Sequence, residues 1–175
     1  EGSQDLYSVV DGERLALEPN DLVLTPSWTW HDHHNDSDKR GLWIDVLDVP
    51  FLVGLGQVGF APYGHPEQTR QKDCDYLSHR VGIVRPAWES RPVRNYPLRY
   101  AWSVVSKELE RLQGVAGSPF DDVILEYVNP ITGGSAMPTM RCCVQSLRPG
   151  FEGRSHSRSS STVYFVIEGE GTTVV

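Results

Sequence analysis

The chain has 175 residues, 39% hydrophobic and 22% charged, values of a folded globular protein that exclude a disordered or fibrous one. A formal net charge of -7 removes the basic face that nucleic acid or an anionic membrane requires. No apolar run approaches the ~18 residues of a membrane span, and the opening EGSQDLYSVV has neither the basic nor the apolar region of a signal peptide.

The first fifty residues alternate strand signals with turn residues: LYSVV, DGE, RLALE, PND, LVLTP and, beyond a histidine-rich stretch, GLWIDVLDV. This spacing predicts an antiparallel β-sandwich or barrel. DGE and PND supply the turn chemistry, and Pro19 is barred from a central ladder. From Phe51 to about Pro97 the period is lost among Gly, Pro and charged residues, which predicts an extended connection. Residues 98–113 predict the one helix, with Trp102, Val105, Leu109 and Leu112 on one face and Gly114 as its stop. Strands return in VILEYV, MRCCVQSL and STVYFVIEG. Cys74, Cys142 and Cys143 are odd in number and form no CxxC pair, so they are expected to be structural thiols in a reduced, cytoplasmic setting. Cys142 and Cys143 are adjacent on a predicted strand and point to opposite faces, so they cannot grip one ion together.

Residues 25–36, TPSWTWHDHHND, concentrate the candidate chemistry. On an extended segment His31 and His33 face one side, and Asp32 and His34 the other. Taken alone, the pair reads as an HxH chelate on one metal. Trp30 alternates with His31 and is expected on the opposite side. His34, Asp36 and Asp38 are expected in a solvated turn, and His65 and His79 on the surface, since neither has partner spacing.

Asn20, Pro26, Trp28, His31 and Asn35 occupy in register the five places of the second cupin motif, G-x5-P-x-G-x2-H-x3-N, with Asn20 and Trp28 standing for glycines. DGE, LEPNDLVLTPSWTWHDHHNDSD and LWIDVLDVP, with YVNPITGGSAMPT and STVYFVIEGEG downstream, resemble the gentisate 1,2-dioxygenase family and its salicylate and 1-hydroxy-2-naphthoate relatives. These are bicupin ring-cleaving enzymes that use non-haem Fe(II). The resemblance is strong at both ends and weak over residues 53–88.

The resemblance implies a mainly β fold, a cupin double-stranded β-helix or jelly-roll, from a bicupin with one inter-barrel helix. Residues 1–50 would be the C-terminal part of a first barrel, 51–122 the connection, and 123–175 the N-terminal part of a second barrel. It also implies that His31 is the third Fe(II) ligand, with the other two from an HxH upstream of residue 1. His33 would contact the substrate, and Asp45 would be the acidic partner that orients an arginine or histidine. Trp28 and Trp30 would be walls for an aromatic ring, or core. The implied reaction opens a hydroxylated aromatic acid, gentisate first, with O2 between the carboxyl- and hydroxyl-bearing carbons, giving maleylpyruvate. The implied assembly is a homo-oligomer, a tetramer. The alternative is a metal-free bicupin that serves as a binding or scaffold protein.

The first cupin motif maps onto Gly150, His156, Arg158, Thr162 and Gly169. An arginine cannot ligate a cation and its charge repels one, so this copy is expected to have lost its metal; Arg154 and Arg158 are alternatively an anion site. With Gly169 equivalent to Gly2, the chain is expected to be an internal piece of a two-barrel protein and inactive by itself.

Overall fold

Asp11 and Gly12 take φ of 47° and 79°, the consecutive left-handed pair of a two-residue type I′ hairpin, which Asp-Gly adopts readily. The turn joins β1 (Leu6–Val10) to β2 (Glu13–Ala16), antiparallel, with Val10 opposite Glu13 and Tyr7 opposite Ala16. The structure, a computed structural model, describes residues 5–71, 88 and 98–174; the expectations for Gly2, Cys74 and His79 lie outside them. After β3 (Leu22–Val23), β4 (His31–Asn35) pairs with the other edge of β1, antiparallel, with Val10 opposite His31 and Leu6 opposite Asn35. β1 is therefore the middle of a three-stranded sheet. The hairpin turn also sets the register of β4: the Asp11 N–H donates to the Trp30 carbonyl (2.9 Å) and the Asp11 carboxylate accepts the Trp30 N–H (3.0 Å).

The helix is shorter than the pattern predicts. Leu98 is buried, and its carbonyl accepts the Leu24 N–H at 2.7 Å. β5 (Arg99–Tyr100) pairs with β3, and only Trp102–Arg111 is helical as a regular element. Asp21 decides this start. Its carboxylate holds Arg99 Nε at 2.6 Å and accepts the Trp102 N–H at 2.7 Å, so it draws one residue into the sheet and caps the helix that follows. Between β4 and β5, in the stretch expected to be extended, Val49–Gly54 forms a short helix α1 with Pro50 in its first turn, where a proline's missing N–H costs nothing. The longer helix is α2.

The predicted apolar face of α2 is the one that packs. Leu109 is buried with Val123 and Val144, and Trp102, Val105 and Leu112 lie against them. Val123 and Val144 belong to β6 (Val123–Glu126) and β7 (Cys143–Ser146), an antiparallel pair with Leu125 opposite Val144. A second cluster gathers Val10, Leu15, Leu24, Leu98, Ala136 and Met137 under the first sheet, and Tyr127 touches both clusters.

Two expected strands do not form among the described residues. Residues 41–48 and 161–169 form no ladder with any described residue, and Leu42, Ile44, Val163 and Phe165 are exposed. An apolar alternation marks a face to bury, but a strand exists only where a neighbour takes its backbone N–H and C=O groups. No helix among the described residues is long and apolar enough to cross a membrane.

Two carboxylates allow tests. Asp21→Ala removes one charged hydrogen bond to Arg99 and the acceptor of the Trp102 N–H at the α2 terminus, and should lower stability by about 2 kcal/mol in urea denaturation. Asp122, buried at the start of β6, bonds Arg148 Nε (2.9 Å) and the Arg148 N–H (2.8 Å), and that side-chain bond holds its carboxyl below the usual range. A carboxyl depressed in the folded state stabilises above its unfolded value, about pH 4, and loses that contribution as pH falls through the folded value. The stability of Asp122→Asn should therefore fall less steeply than that of the parent below about pH 4.

Candidate active site

Alternation along β4 divides its polar side chains between two faces of the sheet. His31 and His33 share a face with Ser8 and Val10 of β1, the residues directly opposite them. The Ser8 hydroxyl, on a residue 1% exposed, lies 2.7 Å from His33 Nδ1. The His33 ring rests against Trp43 at 4.8 Å between centroids, tilted 37°, and meets the edge of His31 at 5.8 Å. Burial pushes the His33 imidazole below its ordinary value, and the nearby Asp45 carboxylate opposes that shift. Asp45 itself lies on the exposed 42–47 segment, close enough for its charge to act on His33. His31 and His33 are thus neighbours, and the Asp45 carboxylate lies within electrostatic reach of His33.

His31 is exposed and opens onto a depression of about 100 Å3 with Trp30, Tyr63, His65 and Gln68 in its wall. Trp30 meets Tyr63 edge-on at 5.3 Å, and Tyr63 meets the exposed His65 at 6.0 Å. Trp28 is 83% exposed, so the core reading does not hold for it; its ring lies over Gly59.

The opposite face of β4 is structural. The expectation of a solvated turn fails for His34, whose side chain is 15% exposed and whose ring stacks on Tyr7 at 4.8 Å with 7° between planes. His34 Nε2 lies 3.1 Å from Asp32 Oδ1, while Asp32 Oδ2 accepts the Gln68 N–H at 2.7 Å. The Gln68 amide donates to the Val9 carbonyl (2.9 Å) and accepts from the Gly12 N–H (3.2 Å). Asp36 accepts the Tyr7 hydroxyl at 3.1 Å, so it too is engaged. Stacking and two-sided hydrogen bonding hold this face where isolated turn residues would be solvated.

Ser8 and Tyr63 do not stand out as site residues in the sequence, and Trp43 stands out there only as part of LWIDVLD. Ser8 carried a signal: it is the polar residue inside LYSVV, in the parity that faces His33. Trp43 and Tyr63 carried none, because both arrive from irregular segments.

Among the described residues no group of three His, Cys, Asp or Glu side chains could hold a metal ion. His31 offers one imidazole, and His33, with Nδ1 engaged by Ser8, has only Nε2 left. These residues do not by themselves complete a metal site.

In the segment matched to the first cupin motif, Arg158 is paired: Nη2 lies 2.6 and 2.8 Å from the two Asp121 oxygens. Its charge is already matched, which weakens the anion-site reading. His156 meets the Phe120 ring at 5.2 Å. Cys142 and Cys143 are free thiols, and burial raises both above the usual thiol value.

Residues 2–47 match the family model described as a Cupin domain. The chain is 45% identical over 174 residues to 1-hydroxy-2-naphthoate 1,2-dioxygenase of Nocardioides sp. (strain KP7), covering 99% of this chain and 45% of that protein. It is 40% identical to 5-aminosalicylate 1,2-dioxygenase of Comamonas sp (97% and 46%) and 34% identical to gentisate 1,2-dioxygenase of Haloferax sp (100% and 52%). The chain thus spans about half the length of the curated relatives it matches. Among solved structures, salicylate 1,2-dioxygenase from Pseudaminobacter salicylatoxidans aligns with a TM-score of 0.63 at 29% identity, over 81% of this chain and 43% of that one. The mainly β cupin fold expected from the sequence is therefore the fold of this chain.

The two non-glycine substitutions in the cupin motif keep a glycine's backbone: Asn20 has φ 67° and Trp28 φ 59°. Asn tolerates this region, whereas a bulky side chain pays steric strain there. Trp28→Gly should raise thermal stability by about 0.5–1 kcal/mol, because an exposed ring gives up little packing and the left-handed strain is relieved.

Proposed function

We propose that this chain belongs to the gentisate and salicylate 1,2-dioxygenase-like cupin family and that its protein is a ring-cleaving dioxygenase of a hydroxylated aromatic acid. Alignment of 97–100% of this chain with about half of each of three such dioxygenases supports this reading. Gentisate is the proposed first substrate, opened by O2 between its carboxyl- and hydroxyl-bearing carbons to maleylpyruvate. The cofactor is Fe(II), which when bound supplies the redox chemistry of oxygen insertion.

His31 is the proposed ligand among these residues: its imidazole is exposed at the end of β4, and imidazole suits iron. By the resemblance the remaining ligands come from elsewhere in the working protein; the described residues gather no set of three. His33 orients the substrate. Its ring is packed by Trp43 and tied by Ser8, so it meets an aromatic acid in one fixed attitude. Asp45 carries the charge that acts on His33. The working assembly is a homo-oligomer, a tetramer by resemblance. The 175 residues alone should not turn over, because one imidazole does not retain Fe(II).

Metal analysis with an oxygen-uptake screen against gentisate, salicylate and 1-hydroxy-2-naphthoate tests the reading in the full-length protein. Bound iron and uptake greatest with gentisate are expected; no iron and no uptake would instead establish the scaffold alternative. His31→Ala should abolish both iron binding and uptake, whereas His33→Gln should retain iron and raise KM for the acid at least tenfold. Ring cleavage by the 175-residue chain supplied with Fe(II) would overturn the shared-ligand assignment.

A further inference from the structure

We infer that Ser8 is a positioning residue that holds His33 as the Nε2–H tautomer, and so makes it a hydrogen-bond donor toward an oxygen of the bound aromatic acid. This rests on the reading of His33 as the group that orients the substrate.

Ser8 sits in the middle strand of the sheet, between Leu15 on β2 and His33 on β4, and is 1% exposed. Directly opposed residues of an antiparallel pair lie within reach of a short side-chain bond, and Ser8 Oγ makes one, 2.7 Å to His33 Nδ1. Among the described residues the hydroxyl has no other hydrogen-bond partner.

A serine hydroxyl has one hydrogen and two lone pairs. Were Nδ1–H the donor, the buried Ser8 hydrogen would be left without an acceptor, at the full desolvation penalty of an unmade bond. With Ser8 as donor that hydrogen is satisfied and only lone pairs are left over, the cheaper omission for oxygen. Nδ1 is then the acceptor, and the proton of the neutral ring is on Nε2. Trp43 and His31, both packed against the ring, limit rotation about the Cβ–Cγ bond that would exchange the two nitrogens. A carboxylate or phenolate oxygen accepts hydrogen bonds only, so a donor at Nε2 is the form that binds it, and the other tautomer would present a lone pair to it.

The test is 15N NMR of the intact, metal-free, histidine-labelled protein at about pH 8, where a histidine ring is neutral, with His33 assigned by its loss in His33→Gln. The expected spectrum has Nδ1 of His33 at the shift of an unprotonated ring nitrogen and Nε2 at that of a protonated one. In Ser8→Ala both should move toward the averaged shifts of a tautomer mixture, and Ser8→Thr, which keeps the hydroxyl, should restore them. In the full-length enzyme Ser8→Ala should raise KM for the aromatic acid about tenfold with kcat changed less than threefold, and Ser8→Thr should recover most of it. A purely structural serine would lower the melting temperature and leave tautomer and KM in place. Nδ1 protonated in the parent protein, or a Ser8→Ala spectrum identical to the parent's, overturns the inference. Because the NMR needs neither iron nor substrate, a missing oxygen uptake with the tautomer shift intact would sink the dioxygenase reading and spare the Ser8 lock.

Discussion

The two-sided pairing of β1 is the constraint on which the site depends. A five-residue strand bonded on one edge to β2 and on the other to β4 has its register set twice, and a slip by one residue would exchange every side chain between faces. The Asp11-Gly12 turn sets the first register and, through the Asp11 carboxylate on Trp30, also the second. With the register fixed, His33 must lie opposite Ser8 and His34 opposite Tyr7. The division of the histidine cluster into a chemical face and a packed face follows from that pairing.

The packed face keeps β4 in place although four of its five residues are ionisable. His34 contributes a ring stack, and Asp32 accepts from both His34 and the Gln68 backbone. Gln68, 8% exposed, donates to the Val9 carbonyl and accepts the Gly12 N–H, and so ties its side chain to two backbone groups of the hairpin. A residue from the irregular segment after β4 thereby closes the hydrogen bonding of the sheet that presents His31 and His33. Polar satisfaction on one side gives rigidity on the other.

Asp21 has the corresponding part in the second half of the chain. One carboxylate holds Arg99 in the β3–β5 pair and caps α2, so the helix is set relative to the sheet by a short chain of bonds. α2 then covers β6 and β7 through Leu109, and Tyr127 joins that cluster to the one under the first sheet. The same economy explains why the helix starts later than its apolar period suggests. Residues 98–101 are helix formers by pattern, yet Leu98 is worth more in the core and Arg99 more beside Asp21 than either is in an exposed first turn.

The sequence alone determined what depends on neighbours a few residues apart: the Asp-Gly hairpin, the amphipathic face of α2, the alternation that places His31 and His33 together, and the cupin register, whose glycine positions return as positive φ at Asn20 and Trp28. Only the tertiary structure decided what depends on partners far along the chain. It made His34 a stacked residue and not a solvated one, left GLWIDVLDV and STVYFVIEG without ladders to any described residue, and brought Trp43 and Ser8 to His33. Local periodicity states which way a side chain points, because backbone geometry sets that within two to four residues. What it meets there is set by long-range pairing, for which no short stretch of sequence carries the information.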